Sequence, residues 1–335
     1  MDNPVLVEVL RGGVVESRHR GAVVVADAGA AIVLALGDVE RPVFPRSAVK
    51  ALQALPLLES GAADRFGLNE AELALACSSH SGEDLHAATA AAMLAKTGHQ
   101  PICLECGIQH PMGAAAARAL AWQHQTPSAL HNNCSGKHAG FICVATAMDV
   151  DVVGYVTADH PVQREVRAAL EAMTGAPHVA PRRGTDGCSI PTYAVPLKSL
   201  ALAFARLGTG LGLPPLRAAA LARLRKAVAG HPFMLAGTGR FDTRITEIFR
   251  ERVFVKTGAE GVYCGSLPEL GLGFAVKCDD GATRAAEVVT AALIARFLPL
   301  ADADKAALEP FITPELTNWN GIAVGALAPT PVVTS

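Results

Sequence analysis

No apolar run in this 335-residue chain continues uninterrupted to the ~20 residues that a membrane-spanning helix requires, because Asp, Arg or Glu breaks every long stretch. This holds although half of the residues are hydrophobic and the mean hydropathy is +0.30. A basic field is missing too. The net charge is -2 and the sequence pI about 6.6, while the Arg18–Arg20 and Arg182–Arg183 pieces are too short to track a phosphate backbone, so nucleic-acid binding is not expected. Cysteines are not densely spaced: Cys77, Cys103, Cys106, Cys134, Cys143, Cys188, Cys264 and Cys278 lie scattered, unlike a disulfide scaffold. Residues 1–11 read as a strand without the basic-then-apolar build of a signal peptide, so the protein is expected in the reducing cytoplasm with its thiols mostly free. Internal repeats, low-complexity tracts and a clear linker are absent as well. The apolar surplus, much of it Ala, must therefore be hidden in a large core or at a subunit interface, and a homo-oligomer is expected.

What is present alternates between two periodicities. Period-two runs at Val5–Leu10, Val14–Ala26 and Ala31–Leu36, separated by Gly-containing turns, predict antiparallel strands. From Ser47 the spacing becomes helical, with Ala48, Leu52, Leu55 and Leu58 on one face and a stop at Ser60-Gly61. Further helices are predicted over 70–76, 84–95, 114–122, 135–147, 161–173, 197–207 and 216–229. Strand patterns return at Val253–Val255, Gly261–Gly265 and Gly271–Lys277 before a helix over Arg284–Phe297. The fold class is then α+β: an antiparallel sheet assembled from both chain ends, about 1–40 and 250–300, flanked by helices, with a helical lobe over about 47–230. One domain is expected over 1–325, followed by a loose Pro- and Thr-containing tail at 326–335.

Chemistry first suggests itself at Ser47-Ala48-Val49-Lys50. Residues three apart share a helix face, so Lys50 can reach the Ser47 hydroxyl, a poor nucleophile until a base takes its proton. A capping serine with a solvated lysine explains S-x-x-K equally well. The motif gains weight from Lys256-Thr257-Gly258, placed after a strand pattern, because S-x-x-K on a helix and K-T-G on a strand flank one cleft in β-lactamases and penicillin-binding proteins. Lys96-Thr97-Gly98 repeats the letters but ends a helical run, where Gly serves as a cap. Between them lies Cys77-Ser78-Ser79-His80-Ser81-Gly82-Glu83, either a helix start or a second serine site in which Ser79 faces Lys256. Farther on, Cys134, Cys188 and His138 are credible zinc ligands, though two buried inert thiols fit the same residues. Arg46, and Arg240 in the Gly237–Thr243 stretch with Thr238, are candidates for gripping a substrate carboxylate.

Taken in order, these segments resemble the rhizobial-type L-asparaginases: Phe44-Pro45-Arg46-Ser47 with Lys50, Ser78 to Glu83, Cys134 to Gly140, Thr185 to Pro191, Gly237 to Arg240, and Lys256 to Gly261. The resemblance runs from about residue 5 to 300. It implies a fold similar to serine β-lactamases and glutaminases, a homodimer, and two Ser-Lys tandems, Ser47 with Lys50 and Ser79 with Lys256. It also implies one zinc ion per site, held by Cys134, Lys137 and Cys188, with Asp186 hydrogen-bonded nearby and His80 and His138 close to substrate. Zinc is expected to orient substrate rather than generate hydroxide. The activity implied is hydrolysis of L-asparagine to aspartate and ammonia through an acyl-enzyme. Rivals are a glutaminase, a β-lactam or peptide hydrolase, a zinc-dependent amino-acid-binding protein without turnover, and a structural zinc protein.

Overall fold

A computed structural model describes residues 3–335. The chain gathers into two compact units, each built from separate segments: residues 1–48, 195–209 and 248–335 in one, 49–194 and 210–247 in the other.

The first unit is organised on an antiparallel sheet ordered Glu315–Thr317, Ala323–Pro329, Val5–Arg11, Val14–Asp27, Leu272–Cys278, Val262–Leu267 and Phe254–Thr257, with Ile32–Leu36 also paired to Val14–Asp27. The long second strand does two jobs. Its first half pairs with Val5–Arg11; its second half, from Gly21, pairs with Leu272–Cys278 and Ile32–Leu36. At that change, a Cβ on Gly21 would run into the Lys277 carbonyl and the Leu6 side chain. Val23, Val24 and Val25 are fully buried in succession, a pattern of strands covered on both faces. The helices Leu197–Thr209 and Thr283–Phe297 pack on these central strands. Gly273 lets the first of them lie directly on the sheet, because a Cβ there would meet the backbone of Ala201, Phe204 and Ala205.

The α+β class and the contribution of both chain ends to one antiparallel sheet agree with the sequence reading. Residues 326–335, expected as a loose tail, are ordered instead. Ala323–Pro329 pairs with the first strand from Val7↔Pro329 to Arg11↔Gly325, the Thr330 amide donates to the Leu6 carbonyl at 2.9 Å, and Leu327 and Val333 are buried. Burial of these two side chains and the backbone pairing outweigh the turn-like composition.

The second unit is helical apart from a hairpin of Arg183–Thr185 with Pro191–Tyr193. Its centre is the helix Ser135–Ala147, in which Ser135 through Ala145 are all buried. It packs against Glu70–Ala76 and Asp84–Lys96. Gly136 makes this possible, since a side chain there would collide with the Leu75 backbone. The helix expected from Ser47 is broken: a 3-10 turn at Arg46–Val49, then Lys50–Gln53 and Leu55–Glu59. Pro56 accounts for the break before Leu55, because it has no amide hydrogen to donate to the Leu52 carbonyl one turn back.

Candidate active site

In the first unit, Ser47 sits half-buried in the turn that opens this helical run. Arg46 precedes it with φ +51°, a left-handed conformation that is costly for a residue with a Cβ and that tends to mark functional turns. The Lys256-Thr257-Gly258 segment closes on the same turn. Phe254–Thr257 is a buried strand with Lys256 opposite Cys264, and a Cβ on Gly258 would lie 2.6 Å from the Pro45 carbonyl oxygen and 3.2 Å from the Ala48 amide nitrogen. No residue but glycine fits there without displacing the Ser47 turn. The Lys256 ammonium is fully buried and donates to the Thr257 carbonyl at 2.9 Å. Burial pushes the neighbouring Cys264 thiol up, against the opposing pull of Lys256. The second K-T-G behaves as a helix end: Lys96 pairs with Glu72 at 2.6 Å and Gly98 has φ +78°.

In the second unit, Ser78, Ser79, His80 and Ser81 form a buried polar segment following the Glu70–Ala76 helix. That helix is held at its start by a capping box between Asn69 and Glu72. The Lys50 amino group is fully buried and donates to the carbonyls of Ser78 at 2.5 Å and Asn133 at 3.2 Å. The His80 amide donates to the Asn133 carbonyl, and the Ser79 amide to that of Leu235. Lys50 thereby ties the serine segment to the loop that leads into the central helix.

The His80 ring spends both nitrogens inside the protein. Gly82 donates its amide to Nδ1 at 3.1 Å, so the proton resides on Nε2, which reaches the Ser135 hydroxyl at 2.9 Å. His86 repeats the arrangement, accepting from the Glu83 amide and donating to the Phe233 carbonyl. The two rings stack at 4.8 Å. Burial holds both imidazoles below their ordinary range, most strongly His80, where the charges of His86 and Lys50 add to it. Thr238 is committed as well: its amide and hydroxyl donate to the two Glu83 carboxylate oxygens at 2.8 and 2.7 Å. Gly237, with φ +108°, permits this approach, since a Cβ would strike Glu83 and Ser81. The half-buried Arg240 follows three residues after Gly237, its amide reaching back to the Gly237 carbonyl.

The thiols come together with a lysine. Lys137 donates to the Cys188 sulfur at 3.0 Å, and Cys134 and Cys188 are hydrogen-bonded to each other. The Cys188 hydrogen bond, against the cost of burial and aided by Lys50 and Lys137, pulls Cys134 well below the ordinary thiol range. The same hydrogen bond and burial push Cys188 up. Burial opposes charge on Lys137, but Cys188, Cys134 and Asp186 outweigh it and hold the ammonium above the usual lysine range. Asp186 lies at the edge of this group, its carboxylate accepting from the Gly187 amide at 2.8 Å and standing 4.0 Å from the Cys188 sulfur. His138, nominated beside the thiols on sequence grounds, turns elsewhere and meets the Tyr155 hydroxyl at 2.6 Å.

Two soft thiols and an amine form an N/S donor set of the kind zinc accepts, with the requirement that metal displace the lysine proton. Among the described residues no group of three or more His, Cys, Asp or Glu side chains is placed to hold a metal. All eight cysteines are free thiols. No described helix is long and apolar enough to cross a membrane. Tyr155, Glu105 and His86 had no motif to announce them, because their roles arise from contacts between distant segments.

The sequence profile of the L-asparaginase II family matches residues 7–329. No curated protein sequence matches the chain. Among solved structures, that of Mglu is 13% identical over 80% of this chain and 64% of its own, with a TM-score of 0.34. The D-alanine carboxypeptidase AmpC from Burkholderia cenocepacia is 14% identical over 80% of this chain and 90% of its own, with a TM-score of 0.39. The chain thus spans less than two thirds of the first of these.

Proposed function

The chain belongs to the L-asparaginase II family, a family of amidohydrolases, and from that premise we propose that it hydrolyses L-asparagine to L-aspartate and ammonia through a serine-bound acyl intermediate. The observation that carries this reading is the family match across residues 7–329, within which every motif segment falls.

Ser47 is the proposed nucleophile. Its hydroxyl adds to the side-chain amide carbon of asparagine and passes its proton toward Lys50, one helical turn ahead. The C–N bond breaks as the leaving nitrogen takes up a proton and departs as ammonia; water then adds to the ester carbon and returns the oxygen of Ser47 with its proton. Backbone amides at the start of the helical run, including that of Ser47, are suited to the developing oxyanion. Ser79 with Lys256 is the second proton-handling pair, assigned from the family resemblance. Arg46, Arg240 and Asp186 are proposed to hold the charged groups of the amino acid. Tight packing of Gly258 under the Ser47 turn supports a role for the K-T-G strand in fixing the nucleophile.

Cys134, Lys137 and Cys188 are the proposed zinc ligands, and a zinc ion there would supply a fixed positive charge that orients substrate. A homodimer is proposed on the strength of the apolar surface carried by the second unit, where Ile102 is 91% and Trp122 87% exposed. Light scattering is expected to give twice the chain mass of 34.6 kDa, and a monomeric mass would refute it.

Ammonia release from asparagine, glutamine and water-only controls, alongside hydrolysis of a chromogenic β-lactam, tests the substrate. The expected result is turnover of asparagine at least ~10-fold above glutamine with no β-lactam cleavage, a preference of about 1.4 kcal/mol or more. Preferential β-lactam hydrolysis, or tight asparagine binding without ammonia, would overturn the reading.

A further inference from the structure

The histidines of the second unit differ in one respect that bears on substrate. His80 and His86 have both ring nitrogens engaged within the protein. His138 does not. Its ring is fully buried, its Nδ1 lies 2.6 Å from the Tyr155 hydroxyl, and its Nε2 is buried without a partner.

The proton arrangement follows from counting donors and acceptors. Tyr155 is itself fully buried, and its oxygen accepts the Glu105 amide at 2.9 Å. If the tyrosine O–H donates to Nδ1, the only unmet group is the His138 Nε2–H. If instead Nδ1–H donated to the tyrosine, both the tyrosine O–H and the Nε2 lone pair would be stranded in the interior. Each stranded polar group costs about 1–3 kcal/mol, so the first arrangement prevails.

We infer that Tyr155 is a positioning residue whose hydroxyl fixes His138 in the tautomer protonated on Nε2, leaving that N–H as a donor for the substrate. Three further contacts make the tyrosine a rigid support. Glu105 accepts the Gly154 amide at 2.7 Å, Gln163 donates to the Tyr155 carbonyl at 3.0 Å, and the tyrosine and imidazole rings meet edge-on at 5.4 Å. The tautomer assignment stands on this geometry alone, whereas the use of Nε2–H by substrate rests on the proposed asparaginase activity.

Nitrogen-15 spectra of histidine-labelled protein, read with steady-state kinetics of Tyr155→Phe, test both parts. In the wild type, His138 should show a protonated Nε2 and a bare Nδ1. In Tyr155→Phe that fixed signature should be lost, the KM for L-asparagine should rise about tenfold, and kcat should stay within about twofold, as for a contact made equally in the ground and transition states. A wild-type His138 protonated on Nδ1 overturns the inference without reference to any variant. So does a folded Tyr155→Phe protein whose KM and tautomer are unchanged. If the wild type releases no ammonia from asparagine, the functional reading falls, while the wild-type spectrum still decides the tautomer.

Discussion

His80 and His86 show how individual residues couple this interior to pH. Both are buried, and burial holds both below the ordinary imidazole range. Below about pH 6.5 the unfolded chain therefore takes up protons that the folded rings refuse, and stability falls as pH drops; above that value the contribution is fully present. The slope is at most about 1.4 kcal/mol per pH unit for each histidine. Urea unfolding is accordingly expected to show a lower midpoint at pH 5.5 than at pH 7.5, and an equal or higher midpoint at pH 5.5 would contradict the neutral assignment. At this scale sequence reading has a clear boundary. Lys137 and His138 are neighbours on one helix, about 100° apart around its axis, so only one of them can face Cys188. Sequence chemistry nominates the histidine, whereas the structure turns Lys137 to the sulfur and His138 to Tyr155.

Elements were legible where local signals were strong. The helices Ala114–Trp122 and Ser135–Ala147 match the bounds read from the sequence residue for residue. The breaks within 46–59 and the helix Phe241–Phe249 were not foreseen, the first because Pro56 interrupts an otherwise continuous apolar face. The hairpin Arg183–Thr185/Pro191–Tyr193 was equally hidden, since its two strands have only three residues each. Its tight tip carries Cys188, with the Ser189 amide donating to the Asp186 carbonyl at 2.9 Å. If this hairpin presents a zinc ligand, metal analysis of the purified protein should find one zinc per chain, and Cys188→Ser should lower that content at least ~10-fold while the chain stays folded. Equal zinc in the variant, or none in the wild type, would remove the metal from the account.

At the scale of the whole molecule, the chain returns to its beginning: Thr330 donates its hydroxyl to the Val5 carbonyl at 2.7 Å, and the last strand pairs with the first. Long-range pairing of this kind is invisible to local composition, which is why residues 326–335 read as a tail. The same limit governs the candidate site. Ser47, Lys50 and Lys256 announced themselves by motif, while the Glu83–Thr238 contact joins residues 155 apart in sequence. The central claim is that Ser47 performs the attack on the substrate amide. Ammonia release from L-asparagine by Ser47→Ala tests it most directly: the rate is expected to fall by at least ~1,000-fold with an unchanged thermal midpoint, and near-wild-type release from the folded variant would contradict it.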